Sequence, residues 1–172
     1  MHNGAGLIIA SKGQDLIKEA SNAGLFVKMF HSGSLDKAYV INDISSKTVV
    51  ARYYDENSSE SASFVCDIAD TPKKKLDGLQ VYSRLKDECG LVFPYKRATD
   101  VMFHMGSVSY PIDIIFIDDN DNIKKISKNI QPGSLDVFSC SGIKNVLEVS
   151  GGTCDLLDIR VGRKMYLSLI HI

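Results

Sequence analysis

Residues 110–119 are the stretch of the sequence that most constrains the fold. They read Tyr-Pro-Ile-Asp-Ile-Ile-Phe-Ile-Asp-Asp, and the polar run at their end continues to residue 122. β-Branched and aromatic residues favour strands, whereas clustered Asp and Asn residues are typical of turns. Because the apolar residues are nearly continuous and do not alternate with polar ones, we predict a strand that is buried on both faces and ends in a polar turn.

Asp113 is the single acid inside this apolar run. An unpaired carboxylate is costly to bury, so we expect Asp113 to have a hydrogen-bonding or ionic partner. One interpretation is a structural carboxylate that accepts hydrogen bonds from backbone N–H groups and stabilises the sheet. The alternative is a general acid or base tuned by burial. No His or Lys lies inside the motif, which favours the structural interpretation.

The composition is typical of a globular protein with one domain, or one domain and an appendage. The chain has 172 residues, of which 44% are hydrophobic and 24% charged, and its net charge is −1. This charge favours neither nucleic acid nor anionic lipid as a partner. No apolar run approaches the roughly 20 residues that span a bilayer. We therefore predict no nucleic-acid partner and no membrane association.

Two further features bear on location and on redox state. The first residues lack a basic region, and the apolar run 7–10 is broken by Ser-Lys-Gly, so we expect no signal peptide and a location in the cytoplasm or within a virus particle. Four cysteines are scattered without CxxC spacing or an adjacent His, at positions 66, 89, 140 and 154. They favour buried small side chains over a disulfide or a metal site.

The pattern along the chain predicts short elements. We expect a helix over 14–23 and strands over 25–30, 38–44, 47–54, 64–69, 91–93, 101–105, 112–117, 123–130, 143–149 and 163–170. Thr71 and Pro72 are typical of a helix start, leading to residue 78, and a second short helix is predicted over 151–157. The expected fold is mostly β (α+β), a small curled antiparallel-rich sheet or partly open barrel with two or three short helices.

The polar, acidic segment 55–61 contains no large apolar residue and is the best candidate for a boundary. It divides the chain into an N-terminal extension, residues 1–62, with a helix and strands, and a β-rich domain, residues 63–172.

Several segments resemble one family in order and spacing. They are Thr71, Gly78-Leu79, residues 90–93 (Gly-Leu-Val-Phe), residues 111–118, Val146-Leu147-Glu148 and Val161-Gly162. They resemble the domain of unknown function 192 family, a group of small β-rich proteins, mostly of bacteria and archaea and often exported. The resemblance runs from about residue 64 to 167, and residues 111–118 are its most specific part. It implies a fold rather than an activity, and it implies that Asp113 is an internal structural acid.

The polar residues of that family are mostly replaced here. Where the family has Trp-Met-Lys-Asn-Thr before the proline, residues 104–108 read His-Met-Gly-Ser-Val. The position of the family's arginine after the first helix holds Tyr82, and Arg84 lies two residues further on as a candidate replacement. The apolar skeleton is kept while the polar group is lost, which points away from catalysis.

Other motifs favour structural roles. Residues 118–122 carry oxygen side chains at alternate positions, but a calcium loop would continue with glycine and a later glutamate, so a hairpin turn is predicted. Lysines 73–75 favour the solvated face of a helix over a phosphate site. His104 and Met105 lack a nearby second metal ligand, Cys140 lacks a local catalytic signature, and Gly151-Gly152-Thr153 lacks the lysine of a phosphate loop. We predict no cofactor and no metal.

The last residues form an apolar run of strand formers, which would be a sticky edge if left exposed. It closes the sheet internally or pairs with another chain by strand addition. The candidate interface residues at the two ends of the chain are Leu7, Ile8, Ile9, Leu169, Ile170 and Ile172.

These features favour a non-catalytic structural or interaction module whose partners are other protein subunits, in a homo- or hetero-oligomeric assembly. A phage virion subunit, such as a decoration or connector protein, is one concrete form. The alternative is a cytoplasmic ligand-binding protein or small enzyme, with a pocket formed by Asp113, His104 and Arg84. Nucleic-acid binding would need a basic face that the composition does not indicate.

Overall fold

The computed structural model describes the backbone of residues 6–8, 26–32, 35–41, 48–82 and 85–170, and the side chains of residues 48–82 and 85–169. The strands are β1 Gly6–Ile8, β2 Phe26–Ser32, β3 Leu35–Ile41, β4 Thr48–Tyr54, β5 Glu60–Ile68, β6 Cys89–Phe103, β7 Ile112–Ile117, β8 Ile123–Ile130, β9 Phe138–Ser150 and β10 Lys164–Ile170. The helices are α1 Pro72–Asp77 and α2 Thr153–Leu156, with a 3-10 turn at Gly78–Val81. The predicted mostly-β class is confirmed, and the helix predicted over 14–23 lies outside the described residues.

The strands form two sheets. β1, β3 and β2 make a three-stranded antiparallel sheet, in that order. The other seven strands form a sheet in the order β10-β4-β5-β6-β9-β7-β8. Within this larger sheet β5 and β6 are parallel, and the remaining neighbours are antiparallel. The predicted antiparallel-rich sheet is therefore present.

The seven-stranded sheet is curled and open, because its two edge strands approach each other at one end only. Asn122, just before β8, forms a bridge with Lys164 at the start of β10. The N–H of Ile123 donates to the carbonyl of Arg163 at 2.8 Å, and the N–H of Met165 donates to the carbonyl of Asp121 at 2.9 Å. The fold is thus the curled sheet expected from the run of short strands.

The predicted division between residues 62 and 63 falls inside β5. β4 pairs with β5 on one side and with β10 on the other, so it belongs to the seven-stranded sheet. The polar loop at 55–61 contains the hairpin turn between β4 and β5, rather than a link between domains. Strand pairing therefore joins β4, from Thr48 onward, to the same sheet as β5.

β7 contributes side chains to two hydrophobic cores. All six of its residues are buried, as the continuous apolar run predicted. Ile112, Ile114 and Phe116 point to the first core, which also contains Leu79, Leu91, Phe93 and Val146. Ile115 and Ile117 point to the second core, which also contains Phe64, Leu147, Cys154 and Met165. Since side chains alternate across a strand, every β7 residue belongs to one of two packed faces.

Two predicted boundaries differ from the observed ones because strand pairing overrides local pattern. The strands predicted over 91–93 and 101–105 are halves of one strand, β6, whose register with β9 shifts after Pro94. The loop predicted over 131–142 ends early, since β9 begins at Phe138 and pairs with the end of β6. The intervening residues of β6 are mostly exposed and polar, so periodicity alone gave no strand signal there.

Two local predictions are confirmed by side-chain hydrogen bonds. The Thr71 hydroxyl accepts from the N–H of Lys74 at 3.2 Å, and Pro72 occupies the first position of α1. Asp118 Oδ1 accepts from the N–H groups of Asn120 and Asn122, each at 2.9 Å, and closes the hairpin turn between β7 and β8. Both devices satisfy backbone donors that the neighbouring elements leave unpaired.

Candidate functional site

Two carboxyl groups are buried on neighbouring central strands, on opposite faces of the sheet. Asp113 lies on β7 and Glu148 on β9, and their side chains are 0% and 5% exposed. Asp113 pairs across the strands with Val149, while Glu148 pairs with Ile114. The one-residue offset places the Asp113 side chain on the face of the second core and the Glu148 side chain on the face of the first.

The Asp113 carboxylate is fully engaged by backbone amides. Its Oδ1 accepts from the N–H of Asn129 at 2.6 Å and from the N–H of Gly152 at 3.0 Å. Its Oδ2 accepts from the N–H of Cys154 at 2.8 Å. These bonds join the end of β8 and the start of α2 to β7, so Asp113 holds three segments of the chain together.

The cysteines of the described residues are not joined in disulfides. Burial, followed by the charge of Asp113, raises the pKa of the Cys154 thiol far above its ordinary value. Burial also raises the pKa of Cys66 well above its ordinary value and that of Cys89 to about 11. Each of these three side chains is therefore a neutral thiol at physiological pH, which disfavours nucleophilic chemistry.

Glu148 is in the opposite situation. It is flanked in register by Leu91 of β6 and Ile114 of β7, both of which belong to the first core. No hydrogen bond or ion pair from the described residues reaches its carboxyl group. Burial raises its pKa to about 8. The side chain is therefore a buried acid without the donors that Asp113 has.

A cavity of about 360 Å³ opens over Glu148. Its walls come from α1, the 3-10 turn, β6 and the segment after β6; the lining residues are Pro72, Lys75, Leu76, Gly78, Leu79, Gln80, Phe93, Tyr95, Met102, Phe103, His104, Met105, Val108 and Glu148. Leu76 and Met102 are 78% and 77% exposed, so two large apolar side chains stand at the lip. Most of the lining residues are apolar or aromatic, and the polar ones are Lys75, Gln80, His104 and the buried acid Glu148.

Lys75 and Tyr95 are two further residues of the cavity lining that carry polar groups. The Lys75 ammonium lies 3.9 Å from the centre of the Tyr95 ring and donates a hydrogen bond to the carbonyl of Pro94. Burial lowers the pKa of Lys75. Of the lysines predicted to form a solvated face, Lys73 and Lys74 are exposed, whereas Lys75 is half-buried.

The charge of Glu148 contributes to raised pKa values at two tyrosines. Burial and then the Glu148 charge raise the pKa of Tyr95, and the same two causes raise that of Tyr110 to about 12. The Tyr110 hydroxyl donates to the carbonyl of Leu79 at 3.3 Å, on the turn that forms one wall of the cavity. Both phenols therefore remain neutral near the acid.

The pocket predicted from Asp113, His104 and Arg84 is corrected by this geometry. Asp113 does not line the cavity, because its side chain lies on the other face of the sheet and is enclosed by its three amide donors. His104 does line the cavity, and Arg84 lies outside the described residues. Tyr82, at the position of the family's arginine, donates to Asp67 at 2.8 Å.

Glu148 was missed as a site residue although the sequence carries a signal for it. It lies inside the run Val-Leu-Glu-Val at residues 146–149, an acid among strand-forming apolar residues. The same pattern singled out Asp113. The pattern predicts a buried acid in both cases, but it does not show which of the two carboxyl groups receives hydrogen bonds.

The candidate interface residues are only partly within the described residues. Leu169 is 44% exposed on β10. Leu7 and Ile8 lie on β1 and Ile170 on β10, where only the backbone is described, and Ile9 and Ile172 lie outside the described residues. Across the described ranges, no group of three His, Cys, Asp or Glu side chains is placed to hold a metal ion. Among the helices in those ranges, none has the length and apolar character to cross a membrane.

Known proteins resemble this chain at the level of family and fold. The matching family model is DUF192, described as "Uncharacterized ACR", over residues 54–167. No curated protein matches the chain.

Two solved structures share the fold. A Sinorhizobium meliloti 1021 protein described as a candidate transcription regulator has a TM-score of 0.65 and 23% identity, covering 70% of this chain and 93% of its own. A protein of unknown function from Novosphingobium aromaticivorans DSM 12444 has a TM-score of 0.65 and 22% identity, covering 81% of this chain and 91% of its own. At these identities the likeness shows the fold alone. The family model matches well over half of this chain, which therefore belongs to the DUF192 family.

Proposed function

We propose that this chain is a non-catalytic binding protein whose ligand occupies the cavity over Glu148. The observation that carries the proposal is the state of Glu148, which is buried, lines the cavity and has no hydrogen-bond or ionic partner among the described residues. An isolated buried carboxyl group lowers stability unless a donor reaches it. A ligand that brings a donor into the cavity would supply the missing interaction.

The make-up of the cavity supports binding over catalysis. Its described lining contains no Ser, Thr, Cys or Asp. The Lys75 ammonium in that lining is engaged by the Pro94 carbonyl and the Tyr95 ring. Its volume of about 360 Å³ lies at the lower end of small-molecule sites, which are mostly apolar with a few polar groups. A small ligand that is oriented by one acid fits this arrangement.

The methionines provide a direct test. Met102 and Met105 line the cavity, whereas Met165 belongs to the second core on the opposite face. The methyl groups of isotope-labelled methionines can be followed by NMR while a library of small fragments is added. We expect binding fragments to shift the Met102 and Met105 signals and to leave Met165 unchanged. A library that shifts neither cavity methionine, or that shifts Met165 equally, would overturn the proposal.

A second candidate function rests on β10, an edge strand of the sheet. It pairs along its length with β4, while its approach to β8 is confined to the bridge at Lys164. Tyr166 and Leu169 are 42% and 44% exposed on this strand. An edge strand with exposed apolar side chains is suited to strand addition by another subunit. This supports the interaction module expected from the sequence; a role in a phage virion stays a prediction.

This second function is tested by measuring the molecular mass of the protein's assembly in solution. Leu169→Lys should lower the assembly size measured by light scattering after gel filtration, because a charge on an edge strand opposes pairing. Leu156→Lys is the control, since it makes the same substitution at an exposed leucine that lies on α2 and not on the edge strand. A monomer at every concentration of the unsubstituted chain would contradict the assembly function.

A further inference from the structure

We infer that the ligand of this cavity carries an ammonium group on a short apolar stem, with the ammonium seated against Glu148. The inference deepens the proposed function and rests on it. It follows from three properties of the cavity: a single uncompensated acid, aromatic walls and an apolar lip.

The first property is charge. Glu148 is the only acid among the described residues that line the cavity, and neither of the basic residues in that lining, Lys75 and His104, forms an ion pair with it. Lys75 is instead engaged by the Pro94 carbonyl and the Tyr95 ring. Inside a cavity the attraction between opposite charges is screened far less than in water. A cationic ligand therefore gains an interaction that no described side chain provides.

The second property is the aromatic wall. The rings of Phe93 and Phe103 pack edge to face at 4.9 Å, and Tyr95 completes the set of aromatic residues in the lining. The Tyr95 ring already holds the Lys75 ammonium at 3.9 Å. Aromatic faces attract cations through their quadrupole, and they repel anions. The contact between Tyr95 and Lys75 shows that this wall accommodates a cation.

The third property is the lip. Leu76 and Met102 are almost fully exposed, on α1 and β6 respectively. A ligand whose ammonium reaches Glu148 can lay a hydrocarbon stem across these two side chains and remove them from water. The volume of about 360 Å³ limits that stem to a few carbon atoms.

Binding of this kind is linked to pH. An ammonium requires the ionised form of Glu148, whereas burial raises the pKa of the free acid to about 8. Binding therefore releases a proton, and affinity should increase as pH rises towards 8, by up to about tenfold for each pH unit. The titratable groups facing the cavity or the acid are Lys75, His104, Tyr95 and Tyr110. A positive charge on His104, which also lines the cavity, would oppose a cationic ligand, so His104→Gln is needed as a control.

The test uses three probes of nearly equal shape, which are pentylammonium, pentanol and pentanoate. Each is titrated while the methyl signals of Met102 and Met105 are followed. We expect pentylammonium to bind at least about tenfold more tightly than pentanol, and pentanoate to bind most weakly. Glu148→Gln should remove the preference for pentylammonium and leave pentanol binding intact. Asp119→Asn, which makes the same charge change on the exposed hairpin turn, should change nothing.

The outcomes separate this inference from the proposed function. The inference of an ammonium ligand is overturned if pentanol binds as tightly as pentylammonium, or if Glu148→Gln keeps the preference for pentylammonium. Either result still leaves a cavity that binds small ligands. A pentylammonium affinity that is flat between about pH 6 and pH 8 in the unsubstituted chain and in His104→Gln also overturns it, without any Glu148 variant. Failure of the entire fragment library overturns the proposed function itself.

An ammonium on a short stem has two natural sources, a free amine and the side chain of a lysine in another protein. The same titration with acetyl-lysine amide, and with a short peptide containing one lysine, distinguishes them. Tighter binding of the lysine compounds than of pentylammonium indicates a protein side chain. The reverse order indicates a free amine.

Discussion

Replacing Glu148 by glutamine should stabilise this protein at mildly alkaline pH and have little effect at mildly acidic pH. Glutamine has nearly the shape of the protonated acid but cannot ionise. The side chain lies between Leu91 and Ile114 and receives no hydrogen bond from the described residues. Its ionised form is therefore the unfavourable one in the folded state, and the substitution removes that form.

The sign and the magnitude follow from the pKa of Glu148, which burial raises from 4.5 to about 8. Between these values the folded state holds a proton that the unfolded state has lost, so the free energy of unfolding falls as pH rises. The stability contributed by the neutral acid is fully present below pH 4.5 and is lost as pH approaches 8. At about 1.36 kcal/mol for each unit of pKa, the rise from 4.5 to about 8 corresponds to a loss of about 5 kcal/mol in the free energy of unfolding.

The assay is urea unfolding followed by circular dichroism, for the unsubstituted chain and for Glu148→Gln, at intervals from about pH 5 to about pH 8. Other titrating groups cancel in the difference between the two proteins. The difference should be close to zero at the acidic end and should reach several kcal/mol in favour of the variant at the alkaline end. A difference that stays constant with pH, or a variant that is less stable at pH 8, would refute the reasoning about a buried acid without donors.

Four further substitutions and one surface control test the packing. Asp113→Ala should lower the free energy of unfolding by at least about 3 kcal/mol, because three backbone amides lose their acceptor; chemical denaturation measures it. Ile115→Ala, fully buried in the second core, should cost about 2–5 kcal/mol in the same measurement, whereas Leu156→Ala on the surface should stay within about 0.5 kcal/mol. Gly151→Ala should lower the melting temperature, since the new Cβ would lie 2.6 Å from Cβ of Pro111. Thr71→Ala should cost about 1 kcal/mol by loss of the helix cap; equal stability would contradict the capping bond.

Much of the fold was accessible from the sequence because its strongest signals are local. The apolar run of β7, the polar turn that follows it and the Thr-Pro start of α1 each depend on neighbouring residues, and each is confirmed. The long strand β6 was not accessible, since its middle is polar and exposed and is held extended by pairing with β9. The boundary at residue 62 failed for the same reason, because β4 is assigned to its sheet by distant strands.

The candidate site shows the same division more sharply. The sequence contains two acids in apolar runs, at positions 113 and 148, and on pattern alone they are alike. The donors that satisfy Asp113 come from residues 129, 152 and 154, which only the fold brings beside it.

The sequence by itself therefore determined that this chain would be mostly β, that β7 would be buried on both faces and that an acid would lie inside that strand. These properties follow from residue type and from the two-residue period of a strand. The tertiary structure alone decided which acid is satisfied and which faces a cavity. Strand order and register select the neighbours of each side chain across long separations in sequence, and these neighbours place Asp113 among amides and Glu148 among apolar side chains.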